Sequence, residues 1–192
     1  MIKLSRPECP KPEALADKDY NHPDNKAALK SASNNKCMYC ESEVLTVDHG
    51  EIEHFRPRSK YPALIYDWNN LGFVCHRCNH AKLAKFDEGT PYIDPYSEDP
   101  ENHILFCGFE ARPFRQCERG ELTISDIQLN RPDLRESRIE KLKEIDAFII
   151  TWNSKNNDRL KEKALEELIK LSRPGHKYSS MVKTYLRLQQ LL

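Results

Sequence analysis

Apolar residues recur with a helical period only in the last third of this chain. Ile139, Leu142, Ile145, Ile149 and Trp152 fall three or four residues apart, as do Leu160, Ala164, Leu168 and Leu171, and then Met181, Tyr185, Leu188 and Leu192. A spacing near 3.6 residues buries one face of a helix, so three amphipathic helices are expected over residues 130–192. Asn130 and Pro132 suit the start of the first, and Pro174-Gly175 ends the second. Upstream the period changes. Val44 to Phe55 is β-branched and apolar enough for a hairpin-like strand, and Gly72 to Val74 reads as a second strand. Pro57 to Asn70 reads as a long loop between them. Asn79 to Phe86, with Ala81, Leu83 and Ala84, predicts a short helix. Prolines and short apolar groups such as Ile104-Leu105-Phe106 predict irregular structure with one or two strands between Gly89 and Leu129. Residues 1–36 are rich in proline and polar groups and predict an arm wrapping the core, with one short helix from Asn25 to Ser31. The pattern as a whole is α+β, in four regions: arm 1–36, core 37–88, irregular extension 89–129 and helical region 130–192.

The helical region is expected to cap its own protein or to dock another subunit. Tyr66 and Trp68 in the long loop are expected to pack on the small core rather than to stack on bases.

Seven cysteines change the picture, because four of them form two Cys-x-x-Cys pairs, Cys37-Met-Tyr-Cys40 and Cys75-His-Arg-Cys78. Two such knuckles supply four thiolates, which surround one Zn²⁺ tetrahedrally. The segment between them is charged and poor in aliphatics, so metal ligation would contribute folding free energy that burial does not. A dithiol redox pair is disfavoured, since no thioredoxin-like strand and helix pattern surrounds either knuckle. Cys9, Cys107 and Cys117 are left as free thiols, with His103 and Cys107 at most half of a second metal site. Met1 to Lys30 contains no apolar run fit for a signal peptide or membrane span, and with unpaired cysteines this predicts a reducing cytoplasm and no membrane partner.

Charge alone does not reveal a nucleic-acid binder: 30 basic residues balance 30 acidic ones. Local charge is more informative. Arg56, Arg58, Lys60, His76, Arg77, His80, Lys82 and Lys85 cluster around the second knuckle, enough to contact several phosphates from one face.

Between and within the knuckles lie Glu53-His54-Phe55-Arg56-Pro57, Asn70-Leu71 and Cys75-x-x-Cys78-Asn79-x-x-Lys82. In that order these residues resemble the HNH endonucleases, the ββα-metal nucleases, over Cys37 to Lys85. The resemblance implies a small zinc-stabilised ββα-metal core that hydrolyses phosphodiester bonds in DNA or RNA. It implies His54 as general base, Glu53 and Asn79 as oxygen ligands of a catalytic Mg²⁺ or Mn²⁺, and Cys37, Cys40, Cys75 and Cys78 as structural zinc ligands. Hard oxygen donors suit such a cation, and a histidine that is neutral near pH 7 suits proton abstraction. Asn70 would tie the loop that carries His54. Arg56, Lys82, Arg77 and His80 would hold phosphates. Glu53 stands where many members of the family have Asp, and Asn79 where the family name implies His. Asp48-His49 offers a competing register, but Gly50 follows it and no proline closes it.

Two other readings stand beside this one. A zinc-stabilised module could recruit a partner or nucleic acid without cutting it. His49-Gly50-Glu51 with Cys75-x-x-Cys78 also imitates a zinc nucleobase deaminase, although Val74 stands where that signature has proline. Leu129-Asn130-Arg131-Pro132 and Tyr178-Ser179-Ser180-Met181-Val182, added to the nuclease motif, resemble the HNH components of Septu-type antiphage systems, including retron-associated ones. That resemblance implies an ABC-like ATPase partner, docked through the arm or the C-terminal helices, and a role in antiviral defence.

Overall fold

The computed structural model describes residues 1–44, 50–154 and 157–192. Asp48 and His49, and with them the competing register and the histidine of the deaminase reading, lie outside the described residues.

The core of the fold is a two-stranded antiparallel sheet with a short helix against it. Strand β1 (Glu51–His54) pairs with β2 (Leu71–Val74), setting Glu51 opposite Val74, Glu53 opposite Gly72 and His54 opposite Leu71. The long strand expected over Val44 to Phe55 is reduced among the described residues to these four, preceded by Gly50 with φ of +60°. Helix α3 (His76–Lys82) follows β2 directly and is displaced from the expected Asn79–Phe86. It begins earlier because the second knuckle forms its first turn, with Cys75 at the N-cap. It ends earlier because Leu83 takes a φ of +48°, which no helix continues through.

Residues 1–36 pack into this core. Leu4 and Leu29 are buried, and the Leu4 amide donates to the Pro95 carbonyl at 2.8 Å. Arg6 stacks 4.0 Å from the Tyr96 ring centre and donates to the carbonyls of Trp68 and Leu71. Two helices occupy this stretch rather than one, α1 (Pro12–Ala16) and α2 (Pro23–Ala32), each opening on a proline whose missing N–H costs nothing at that position. Trp68 and Tyr66 pack against the core, with Trp68 Nε1 donating to the Pro7 carbonyl at 2.9 Å.

The extension is more regular than expected. A hairpin of β3 (Ile104–Cys107) and β4 (Glu110–Pro113) turns through Gly108, and a helix that the sequence reading missed, α4 (Glu118–Asp126), packs across it. Its apolar face is interrupted by polar residues, among them the buried Thr123, whose hydroxyl accepts from the Ile93 amide. His103 does not join Cys107, which is exposed. Its Nδ1 lies 3.2 Å from Cys117 Sγ, and its Nε2 is 2.8 Å from Glu98.

Three helices close the chain: α5 (Pro132–Asn153), α6 (Asp158–Leu171) and α7 (Ser179–Leu188). Their buried faces are shifted from two of the expected stripes. Helix α5 buries Leu134, Arg138, Lys141 and Ile145 rather than Ile139 and Trp152, and α7 buries Met181, Val182 and Leu186 while Leu188 and Leu192 are exposed. The shift in α5 follows from Arg138, whose guanidinium donates to the Leu129 carbonyl at 2.7 Å and lies between the Phe106 and Tyr178 rings. On α6, Ala164, Leu168 and Leu171 are buried as the period requires, and Leu160 is exposed. Helix α7 is joined to the first knuckle by a buried carboxylate, Glu41, which meets Lys36, Ser179 and Ser180. Burial pushes the Glu41 carboxyl upward, yet the Met1 amino group, Lys36 and Ser180 hold it down at about 2. Among the described residues no helix is long and apolar enough to cross a membrane.

Gly120 in α4 touches the chain that leads into β3: a methyl group there would fall 2.2 Å from the His103 carbonyl oxygen. Alanine for glycine within a helix ordinarily stabilises by about 1 kcal/mol, but overpacking against backbone costs about 1–3 kcal/mol. Gly120→Ala is therefore expected to lower the denaturant midpoint. A raised midpoint would mean that α4 shifts freely against the hairpin.

Candidate active site

Both knuckles converge on one point. The Sγ atoms of Cys37, Cys40, Cys75 and Cys78 lie within 4.8 Å of one another, all buried, with Cys40 and Cys75 3.9 Å apart. A tetrahedron of sulfurs about 2.3 Å from a central zinc has edges of about 3.8 Å, so the cluster is compatible with Zn²⁺ after at most a small contraction. Arg131 donates from Nη1 toward Cys78 Sγ at 3.5 Å, bringing a positive charge against the thiolates from the C-terminal region. With four sulfurs gathered, Cys75 and Cys78 belong to a closed set, which removes the basis of the deaminase reading.

His54 ends β1 and is held by its backbone and its ring together. Its Nε2 lies 3.0 Å from the Ile65 carbonyl, an acceptor only, so Nε2 carries the hydrogen and Nδ1 keeps its lone pair. Burial lowers the His54 pKa, and Arg58 and Lys82 add to this, while the bond to Ile65 opposes it. The neutral imidazole is thus favoured. The Tyr20 ring stands edge-on to it, centres 4.8 Å apart. Ile65 reaches His54 because Asn70 gathers the intervening loop: its side chain accepts from the Arg56 amide at 2.7 Å and donates to the Arg56 and Leu64 carbonyls.

The two acidic residues of β1 have different environments. Residues two apart on a strand share a face, about 6.8 Å apart, and residues three apart on a helix share one too. Packing α3 on β1 therefore matches Glu51 with Asn79 and Glu53 with Lys82. The Asn79 amide donates to Glu51 Oε2, and His76 Nδ1 lies 2.7 Å from Glu51 Oε1. Burial works to raise the Glu51 carboxyl, but bonds from Asn79 and His76 hold it below the usual carboxylate range. Glu53 is 3% exposed and pairs at 2.5 Å with Lys82, which is 0% exposed and also donates to the His54 carbonyl. Burial pushes Glu53 up to about 6 although Lys82 pulls it down.

A cleft of about 760 Å³ opens over this arrangement, lined by Glu51, Glu53, His54, Asn79 and His80 with the basic residues Lys26 and Arg58; Glu53 contributes only a 3% exposed edge to it. Of the expected phosphate contacts, His80 faces the cleft, stacked on His76 with ring centres 5.8 Å apart. Arg77 pairs with Asp133 at 2.9 Å, and Arg56 lies near Glu88 and the Phe86 ring. Lys82 is enclosed, so its ammonium joins strand to helix instead of meeting a ligand. Glu51 and Lys26 line the cleft without having been singled out as site residues, and Arg58, expected only as one of a basic cluster, lines it as well. The signal for Glu51 was present in the alternation of Glu51-Ile52-Glu53-His54, whereas nothing local marks Lys26.

Residues 37–85 match the family model described as HNH endonuclease. The chain carries an HNH endonuclease domain. It is 33% identical over 146 residues to Septu protein PtuB of Bacillus thuringiensis, covering 69% of this chain and 56% of that protein. It is 29% identical over 158 residues to Septu protein PtuB of Bacillus mycoides (strain KBAB4), covering 66% and 54%. The chain thus spans a little over half the length of these curated relatives. The HNH domain occupies the cysteine cluster, β1, β2 and α3, while the similarity to the PtuB proteins extends well beyond it.

Removing one partner of a buried ion pair costs about 3–5 kcal/mol, whereas replacing both by apolar residues is often neutral. Lys82→Met should accordingly destabilise the HNH domain by about 3 kcal/mol in urea unfolding, and Glu53→Met combined with Lys82→Met should recover most of the loss. A stable Lys82→Met protein would contradict the enclosed position of this ammonium.

Proposed function

We propose that this protein is a metal-dependent HNH endonuclease that hydrolyses phosphodiester bonds in DNA or RNA as the nuclease component of a bacterial antiphage complex. The observation that carries the reading is His54: an imidazole fixed through Nε2, favoured in its neutral form, with Nδ1 as the remaining base and Asn79 lining the same cleft. Hydrolysis needs a group to take the proton of the attacking water, positive charge for the phosphorane and help for the leaving oxygen. His54 Nδ1 takes the proton, and the Ile65 carbonyl stabilises the imidazolium that results. Lys26, Arg58 and His80 hold the phosphates along the cleft and orient the scissile bond. A carboxylate of β1 and the Asn79 side chain offer oxygen donors for Mg²⁺ or Mn²⁺. When bound, that cation supplies positive charge against the phosphorane and the departing oxygen. Zinc at Cys37, Cys40, Cys75 and Cys78 has a structural part, since four thiolates leave it no open position.

The similarity to Septu PtuB proteins supports the defence assignment, and with it an ABC-like ATPase as partner, engaged through the arm or the C-terminal helices. The rival reading, a zinc module that recruits without cutting, leaves the orientation of His54 unexplained.

His54→Ala should lower cleavage of labelled DNA or RNA by about 100-fold or more in the presence of Mn²⁺ and the assembled partner, with zinc content and melting temperature kept. Undiminished cleavage would exclude His54 as the base. The pH profile carries a sign: because burial depresses the imidazole below its ordinary 6.5, the base form persists to lower pH. The acidic limb of kcat/KM should therefore have its midpoint below that value. A midpoint above it would assign the limb to another group.

A further inference from the structure

Resting on the nuclease reading above, we infer that Glu51, not Glu53, is the carboxylate that holds the divalent cation together with Asn79, and that Glu53 is the permanent counter-ion of Lys82. A carboxylate can attract a hard cation only with charge that is not already compensated. Glu53 has little to spare, since its 3% exposed side chain lies 2.5 Å from the enclosed ammonium of Lys82, an ion pair made without a well-directed hydrogen bond to Oε1. Releasing it for a ligand would leave that ammonium buried without its anion, a change that costs several kcal/mol in other proteins.

Glu51 lies in the opposite situation. Its side chain is 39% exposed, it opens on the cleft that His54 lines, and it is bonded to an amide and an imidazole, with the nearest lysine, Lys26, acting on it only through space across the cleft. The Asn79 amide already meets Glu51 Oε2. Turning that amide about its last torsion presents Oδ1 in place of the N–H, and the two ends are nearly equal in size. Two oxygens, one charged and one neutral, then face the same place. His76 steadies the carboxylate through Oε1 at 2.7 Å, as outer partners of ligating carboxylates do. The register of α3 on β1 selects this arrangement: Asn79 is spaced to meet Glu51, and Lys82, one helical turn on, to meet Glu53.

The experiment is Mn²⁺ binding to the full-length, zinc-loaded protein, followed by the loss of the free Mn²⁺ electron paramagnetic resonance signal, with zinc content and melting temperature recorded for each variant. Glu51→Gln and Asn79→Ala should each weaken Mn²⁺ affinity about 10-fold or more, with zinc retained. The combined Glu53→Met and Lys82→Met variant, which removes the ion pair and keeps Glu51, should bind Mn²⁺ within about twofold of the wild type. If Glu51→Gln proves unfolded, Glu51→Asp, with its carboxylate drawn back by one methylene, gives the same reading through a weakened but measurable affinity. Wild-type affinity in a folded Glu51→Gln protein, or loss of Mn²⁺ in the Glu53/Lys82 variant with zinc retained, would overturn the assignment of Glu51 and leave the nuclease reading intact. A wild-type protein that binds no Mn²⁺ would overturn the cation-dependent reading itself.

Discussion

Four buried cysteine sulfurs within 4.8 Å of one another are the constraint on which the rest of this molecule depends. As thiolates they would repel one another too strongly to sit uncompensated in a low-dielectric interior, and the dimensions of the cluster are compatible with zinc as the compensation. Once gathered, the two knuckles leave little freedom. Met38 in the first donates its amide to Phe73 of β2 at 3.0 Å, and Cys75 caps α3 in the second. Sheet edge, helix start and cluster become one rigid piece. A domain of this size has few apolar side chains with which to achieve the same by burial.

On that piece the chemistry is set by a short packing register. Helix α3 contributes Asn79 and Lys82 to the strand face that carries Glu51 and Glu53, and the two pairs have opposite characters. One is open and meets an amide and an imidazole on the helix side. The other is enclosed, charged on both sides and tied to the His54 carbonyl through Lys82. The second pair thereby fixes the backbone of His54, while Ile65 and the Asn70 loop fix its ring. An imidazole held at both ends would need little reorganisation to act as the base of the proposed hydrolysis.

The C-terminal helices take part in the nuclease core as well as capping it. Asn130 binds the Ala111 backbone in the manner of a neighbouring strand, accepting its amide at 2.9 Å and donating to its carbonyl at 2.8 Å. The next residue, Arg131, reaches Cys78, and Pro132 begins α5. Three consecutive residues thus connect hairpin, cysteine cluster and cap. Glu41 makes the matching connection from the first knuckle to α7. Any partner that moves the cap would act directly on the cysteine cluster.

Much of this was legible in the chain itself, because local spacing carries it. The Cys-x-x-Cys pairs, Glu-His-Phe-Arg-Pro and Asn79 point to an HNH domain without reference to any fold, and a period near 3.6 announces three terminal helices. Helix α4 was hidden because its buried face includes Gly120 and Thr123, residues chosen for close approach and hydrogen bonding, which a hydrophobic pattern does not register. The stripe on α5 was misjudged because Arg138 and Lys141 are buried there, with their charges satisfied by carbonyls, rings and Glu144. Sequence alone determined which groups are present and which lie within a few residues of one another, since covalent spacing is a property of the chain. Only the tertiary structure decided which carboxylate remains exposed and which is enclosed against a lysine, because that depends on how one helix sits across one strand, and no residue's neighbours in sequence encode it.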